Sequence, residues 1–103
     1  MAKRLPLSFA ESAAADLEAI LQYYNELESP DAGKCITNQI ITKVEKLAIY
    51  PDMGRVVPEY GLQYIRELII PPFRVVYVRE EKRVRIIRVW RSERLLTLQE
   101  KEK

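Results

Sequence analysis

The sequence predicts an α+β domain: an N-terminal strand, a two-helix hairpin, then a three-stranded antiparallel meander with the helices packed on one sheet face. Three observations carry this. Apolar residues recur at three- and four-residue steps through two segments of the first half. The second half holds three short runs rich in Val, Ile, Tyr and Trp, a composition that suits a pleated, half-buried surface. Pro71-Pro72 and Glu80-Glu81-Lys82 punctuate those runs where turns belong.

Arg4-Leu5-Pro6-Leu7 opens the chain as a short extended segment, and Pro6 places it at a sheet edge because proline cannot donate to a ladder. Ser8-Phe9-Ala10-Glu11 fits a capping box, with Ser8 accepting from an exposed helix N–H and Glu11 reaching back. In the helix that follows, Ala13, Leu17, Ile20, Tyr24 and Leu27 form the apolar stripe, while Asp16, Glu18, Gln22 and Glu26 lie off it. Ser29-Pro30-Asp31 restarts the chain: Ser29 as cap, Pro30 at the first helical position, Asp31 at the positive end of the dipole. The second helix carries Ile36, Ile40, Val44 and Leu47, widened by Ile41 and Ala48, and Pro51 closes it. Two such helices need a sheet to cover their apolar faces.

Residues 50–59 read as turn chemistry, with a positive φ expected at Gly54 and with Arg55 and Glu59 most simply solvated. The three strands then span Ile65–Ile70, 73–78 and 84–90. Alternation sets Arg74, Val76 and Val78 against Phe73, Val75 and Tyr77, and sets Ile86, Arg88 and Trp90 against Arg85, Ile87, Val89 and Arg91. Arg79, Lys82, Arg83 and Arg85 flank a turn and read as solvated charge. Tyr23, Tyr24, Tyr60 and Tyr64 read as half-buried packing with wet hydroxyls. The chain ends in a weak helical turn at Leu95-Leu96-Thr97-Leu98 and a charged tail.

With 103 residues, there is material for one hydrophobic core and so for one domain, 1–103. No apolar run suggests a membrane span, the first residues lack the long apolar segment of a signal peptide, and a single cysteine suits a reducing compartment, so a cytoplasmic location is expected. The chain contains no histidine. That removes Ser-His-Asp and Cys-His nucleophilic sites, His-ligated zinc and the commonest general base near neutral pH. Three glycines, at 33, 54 and 61, permit neither a dinucleotide nor a phosphate-loop motif, and no cofactor or metal is expected.

What remains is arginine on a sheet. Residues 65–94 carry nine Arg or Lys against four Glu, whereas residues 1–64 carry six basic and nine acidic side chains. The modest overall charge of +2 therefore hides an acidic front and a basic sheet. Apolar area studded with guanidinium groups is a surface for a partner such as nucleic acid or an acidic protein segment. Arg74, Arg88, Trp90, Arg91 and Arg94 are the candidate binding residues.

In Ala15-Asp16-Leu17-Glu18-Ala19-Ile20 with Tyr23-Tyr24, Tyr50-Pro51-Asp52-Met53-Gly54-Arg55, Pro58-Glu59, Ile65-Arg66-Glu67-Leu68, Phe73-Arg74-Val75-Val76-Tyr77 and Ile86-Ile87-Arg88-Val89-Trp90-Arg91, the chain resembles the RelE/ParE superfamily of toxins from bacterial toxin–antitoxin (plasmid stabilisation) systems. The resemblance spans nearly the whole chain and implies the same strand, helical hairpin and meander. It also implies one of two activities. RelE-like members cleave messenger RNA on the ribosome with basic residues and a Tyr or His; ParE-like members inhibit DNA gyrase by binding. Arg74 matches a RelE arginine, but the paired RelE lysines fall on Ile65 and Glu67, a further basic position on Ser92, and the tyrosine on Leu98. A carboxylate beside an RNA phosphate adds repulsion where neutralisation is needed. The similarity is therefore closer to ParE, and implies a non-enzymatic toxin held by a cognate antitoxin with gyrase as target. The alternative it leaves is a ribosome-dependent endoribonuclease working through Arg74 and Arg91.

Overall fold

The computed structural model describes residues 4–91; the expectations at Ser92, Arg94 and Leu95 to Leu98 lie outside them. Strand β1 (Leu7–Phe9) leads into helix α1 (Glu11–Glu26), helix α2 (Pro30–Glu45) and a 3₁₀ turn (Lys46–Ala48). Strands β2 (Arg55–Val56), β3 (Ile65–Ile70), β4 (Phe73–Arg79) and β5 (Val84–Arg91) follow. They form one five-stranded sheet in the order β1-β5-β4-β3-β2. β1 runs parallel to β5, and every other pairing is antiparallel.

β1 occupies the edge that Pro6 foretells, and the Pro6 carbonyl accepts from Val84 N at 2.9 Å. The capping box is corrected. Ser8 lies within β1, and Ala10 is the N-cap with extended backbone (φ −66°, ψ 157°) and no side-chain cap. The start of α1 is tied to the sheet instead: Ala10 N donates to Ile86 O at 2.8 Å, and Ser12 Oγ to Ile87 O at 2.6 Å. Ser29 and Pro30 do take the cap and first helical positions of α2, yet the Ser29 hydroxyl caps no N–H. α2 ends at Glu45, and the chain passes through the 3₁₀ turn before Pro51.

The helical stripes meet the sheet as their spacing requires. Ala13, Ile20, Ile40, Val44 and Leu47 pack with Leu68, Ile70, Phe73, Val75, Tyr77, Val84, Ile86 and Val89, while Leu17, Tyr24 and Ile36 close the margin. Each large aliphatic side chain buried this way contributes about 1.5–3 kcal/mol. Leu27 falls off the stripe at 54% exposure, because α1 has ended and the chain turns through Glu28 at φ 58°.

Two features of the sheet were not legible. β2 is a two-residue strand inside the stretch read as turn, too short to show a period of two. In β5 a bulge leaves Ile87 unopposed: Val76 pairs with Arg88, and Tyr77 with Ile86. One extra residue reverses the alternation beyond it. Ile86 is therefore wholly buried with Val84 in the core instead of sharing a face with Trp90.

Candidate functional site

The far side of β4 and β3 holds a buried chain of charges. Glu67 stands in a strand otherwise apolar but for Arg66, and its side chain is fully buried. Its Oε1 accepts from Arg74 Nε at 2.6 Å, and its Oε2 accepts from Arg55 Nε at 2.6 Å. Arg74 turns its other edge to Glu59, donating from Nη1 to Oε2 at 2.9 Å and from Nη2 to Oε1 at 3.0 Å. Two cations and two anions are thereby joined across β2, β3, β4 and the loop between β2 and β3. The bidentate Glu59 contact, with Glu67 adding to it, holds the proton on Arg74 more firmly than usual despite burial. Glu59 in turn lies below its ordinary range because Arg74 donates to it.

Tyr77 braces the same region from the core side. Its hydroxyl donates to Pro51 O at 2.8 Å and accepts from Gly54 N at 2.9 Å, and burial pushes its pKa up. Gly54 has no positive φ, contrary to expectation; that conformation belongs to Gly61 (φ 62°). What position 54 requires is room, since a Cβ there would lie 2.6 Å from both Glu67 O and Tyr77 Oη. Arg66 and Arg79 fasten the neighbouring turn: Arg66 Nη1 donates to Gly54 O at 2.9 Å and Arg79 Nε to Asp52 Oδ1 at 3.0 Å. Arg79, expected as solvated charge, is therefore a tie between turn and sheet.

A second group of residues lies where α1 meets β5. Asp16 accepts from Arg88 Nε at 2.8 Å, from Arg88 Nη2 at 3.1 Å and from Val89 N at 2.8 Å. The Asp16 carboxylate raises the pKa of Arg88 above its ordinary value. The Arg88 guanidinium lies 4.7 Å from the centre of the Trp90 ring, a cation–π arrangement, and its side chain remains 40% exposed. Arg91 lies over Phe73 at 5.6 Å. With Ala19, Ile20 and Tyr23 of α1, these groups line an open depression of about 310 Å³ that mixes apolar side chains with the charges of Asp16, Arg88 and Arg91.

Of the sequence-predicted binding residues, Arg88, Trp90 and Arg91 are brought together here. Arg74 is not. It is 4% exposed and held by two carboxylates, so the face expected to be studded with free guanidinium groups presents this one inward. Arg94 lies outside the described residues. Sequence reasoning missed the burial of Glu67, the role of Asp16, and the pairings of Glu59 with Arg74 and of Arg55 with Glu67, with Glu59 and Arg55 read as solvated. The signal was available for Glu67: it is the one carboxylate in two largely apolar strands joined by a tight Pro-Pro turn, and that turn sets it diagonally across the hairpin from Arg74. Tyr23, Tyr60 and Tyr64 are about half exposed, and Tyr23 meets Tyr24 edge to face. Among the described residues, no cluster of His, Cys, Asp and Glu is suited to a metal, and no helix is long and apolar enough to cross a membrane.

The family model for the ParE toxin of the type II toxin–antitoxin system parDE matches residues 7–96. Among solved structures, the chain is similar to one of the chromosomal ParDE toxin–antitoxin system from P. aeruginosa. The TM-score is 0.72 and the identity 27%, over 85% of this chain and 96% of that one. The conserved hypothetical protein HP0894 from Helicobacter pylori shares the fold, with a TM-score of 0.56 and 18% identity over 86% of this chain and 96% of that one. No curated protein gives a significant sequence match.

Proposed function

The chain belongs to the ParE toxin family of type II toxin–antitoxin systems, and from that premise we propose that it arrests growth by binding DNA gyrase. A cognate antitoxin neutralises it by covering apolar surface with an amphipathic helix and an extended segment. Arg88, Trp90, Arg91 and Arg94 supply contacts to target or antitoxin, and in the free chain Arg74 holds the sheet and the Glu59 loop in place.

The observation that carries the reading is the state of Arg74. An endoribonuclease needs an accessible cation against the phosphate as charge develops there. Here the fork of Arg74 is filled by Glu59 and its Nε by Glu67, the residue that occupies a position where RelE carries a lysine. Tyr77, the hydroxyl on the same strand, is buried and engaged at both lone pair and proton. The Arg88–Trp90 pair, in which the Arg88 side chain is 40% exposed, suits recognition, with an aromatic plane and a planar cation together.

Incubating the purified chain with gyrase and relaxed plasmid, beside a programmed-ribosome cleavage assay, tests this. Blocked supercoiling with intact message is the expected result. Cleaved message with normal supercoiling reverses the assignment.

A further inference from the structure

We propose that Arg74 is a carboxylate-binding site whose occupant in the isolated chain is the protein's own Glu59, and that an Asp or Glu side chain of a partner protein takes that place in the complex. This rests on the reading of the chain as a partner-binding protein and is indifferent to which target it poisons.

The two carboxylates on Arg74 are unlike. Glu67 is on β3, in register within the sheet, with its side chain completely buried and its second oxygen bound by Arg55. It leaves only if strands part. Glu59 is on the loop between β2 and β3, with its side chain 22% exposed, and both its oxygens are spent on Arg74. That loop carries Tyr60, Leu62 and Tyr64 exposed to solvent, and Val57 as its buried anchor. Gly61, at φ 62° with nothing within 4 Å of a would-be Cβ, gives the loop a joint beyond Glu59.

Charge balance defines the ligand. Arg55, Arg74, Glu67 and Glu59 sum to zero, so departure of Glu59 leaves one positive charge in a mostly enclosed place. A replacement must bring one negative charge in a planar, two-oxygen group that fits a guanidinium fork. It must also tolerate apolar walls, because Val57, Val76, Tyr60 and Trp90 line a cavity of about 40 Å³ beside the Glu59–Arg74 pair. Trp90 stands directly opposite Arg74 in the β4–β5 ladder. The site therefore adjoins Trp90 of the β5 surface, and a partner segment seated on Trp90 reaches Arg74 by displacing Glu59.

Trp90 is the only tryptophan in the chain, so its fluorescence reports on this place directly. The test titrates isobutyrate, a carboxylate with a small apolar tail, into the purified chain and into E59A, with chloride at equal ionic strength as control. E59Q serves if E59A does not fold. The expected result is a saturating change in the variant at a concentration about tenfold or more below wild type, where Glu59 competes. Chloride gives no such change, and adding R74M removes it while circular dichroism shows the fold retained. The proposal is overturned if the variant responds equally to chloride, if it does not respond to isobutyrate, or if the response survives in the R74M background. Because neither gyrase nor antitoxin is present, failure here leaves the gyrase assignment standing.

Discussion

Glu67 and Arg74 meet diagonally across the β3–β4 hairpin, the carboxylate fully buried and accepting from Arg74 Nε at 2.6 Å. Removing either partner strands the other in a place water does not reach. E67L is expected to cost about 3–5 kcal/mol of stability, and R74M a similar amount. Replacing both, in E67L/R74M, is expected to cost clearly less than the sum of the two. A double-mutant cycle by urea denaturation measures that coupling. Additive losses would place the interaction outside the network described.

Gly54 is expected to resist even the smallest enlargement. In G54A the new methyl group must push back the Glu67 carbonyl or the Tyr77 hydroxyl, each 2.6 Å from its position. The expected loss is about 1–3 kcal/mol, the usual scale for overpacking. Y77F/G54A is expected to lose less than the two single losses combined, since the phenolic oxygen is then gone. Thermal unfolding of the four proteins reads both effects.

The Glu59–Arg74 pair gives stability a specific dependence on pH. Arg74 lowers the folded-state pKa of Glu59 below its unfolded value of about 4.3. Its contribution is therefore fully present above that unfolded value and is lost as pH falls through the lower folded one. Wild type is expected to exceed E59Q by about 1–3 kcal/mol at neutral pH. The gap should close in acid. Urea midpoints of both proteins between about pH 2 and pH 7 measure it. A gap that persists unchanged at the acid end contradicts the assignment.

Much of this was legible beforehand, and the residues show why. Long stripes such as Ala13, Ile20, Ile40 and Val44 repeat often enough to announce both helices, and the run from Phe73 to Tyr77, buried at every position, has the β-branched and aromatic composition of a strand. What escaped depends on single residues. One inserted residue at Ile87 moved Ile86 into the core, and nothing local marks a bulge. Ser8 had the composition of a cap but was already committed to the sheet edge beside Arg85. Glu59 and Arg55 looked solvated because their partners, Arg74 and Glu67, are distant in the chain and become neighbours only once β2 joins β3.

The β5 surface is expected to separate binding from folding. Because the Arg88 side chain is 40% exposed, its pair with Asp16 is screened, and R88A is expected to cost about 1 kcal/mol or less in stability. Trp90 is expected to be the stronger contact. W90A is expected to weaken association with the partner by about 2 kcal/mol, roughly 30-fold. Urea denaturation followed by circular dichroism checks the first value, and calorimetric titration of the folded W90A against the antitoxin checks the second.

The most direct measurement is the supercoiling activity of purified gyrase across a concentration series of wild type and of R88A/W90A. The account expects wild type to block supercoiling and the folded double variant to need a concentration about tenfold or more higher. Equal potency of the two proteins, or unaffected supercoiling beside cleaved message on programmed ribosomes, would contradict it.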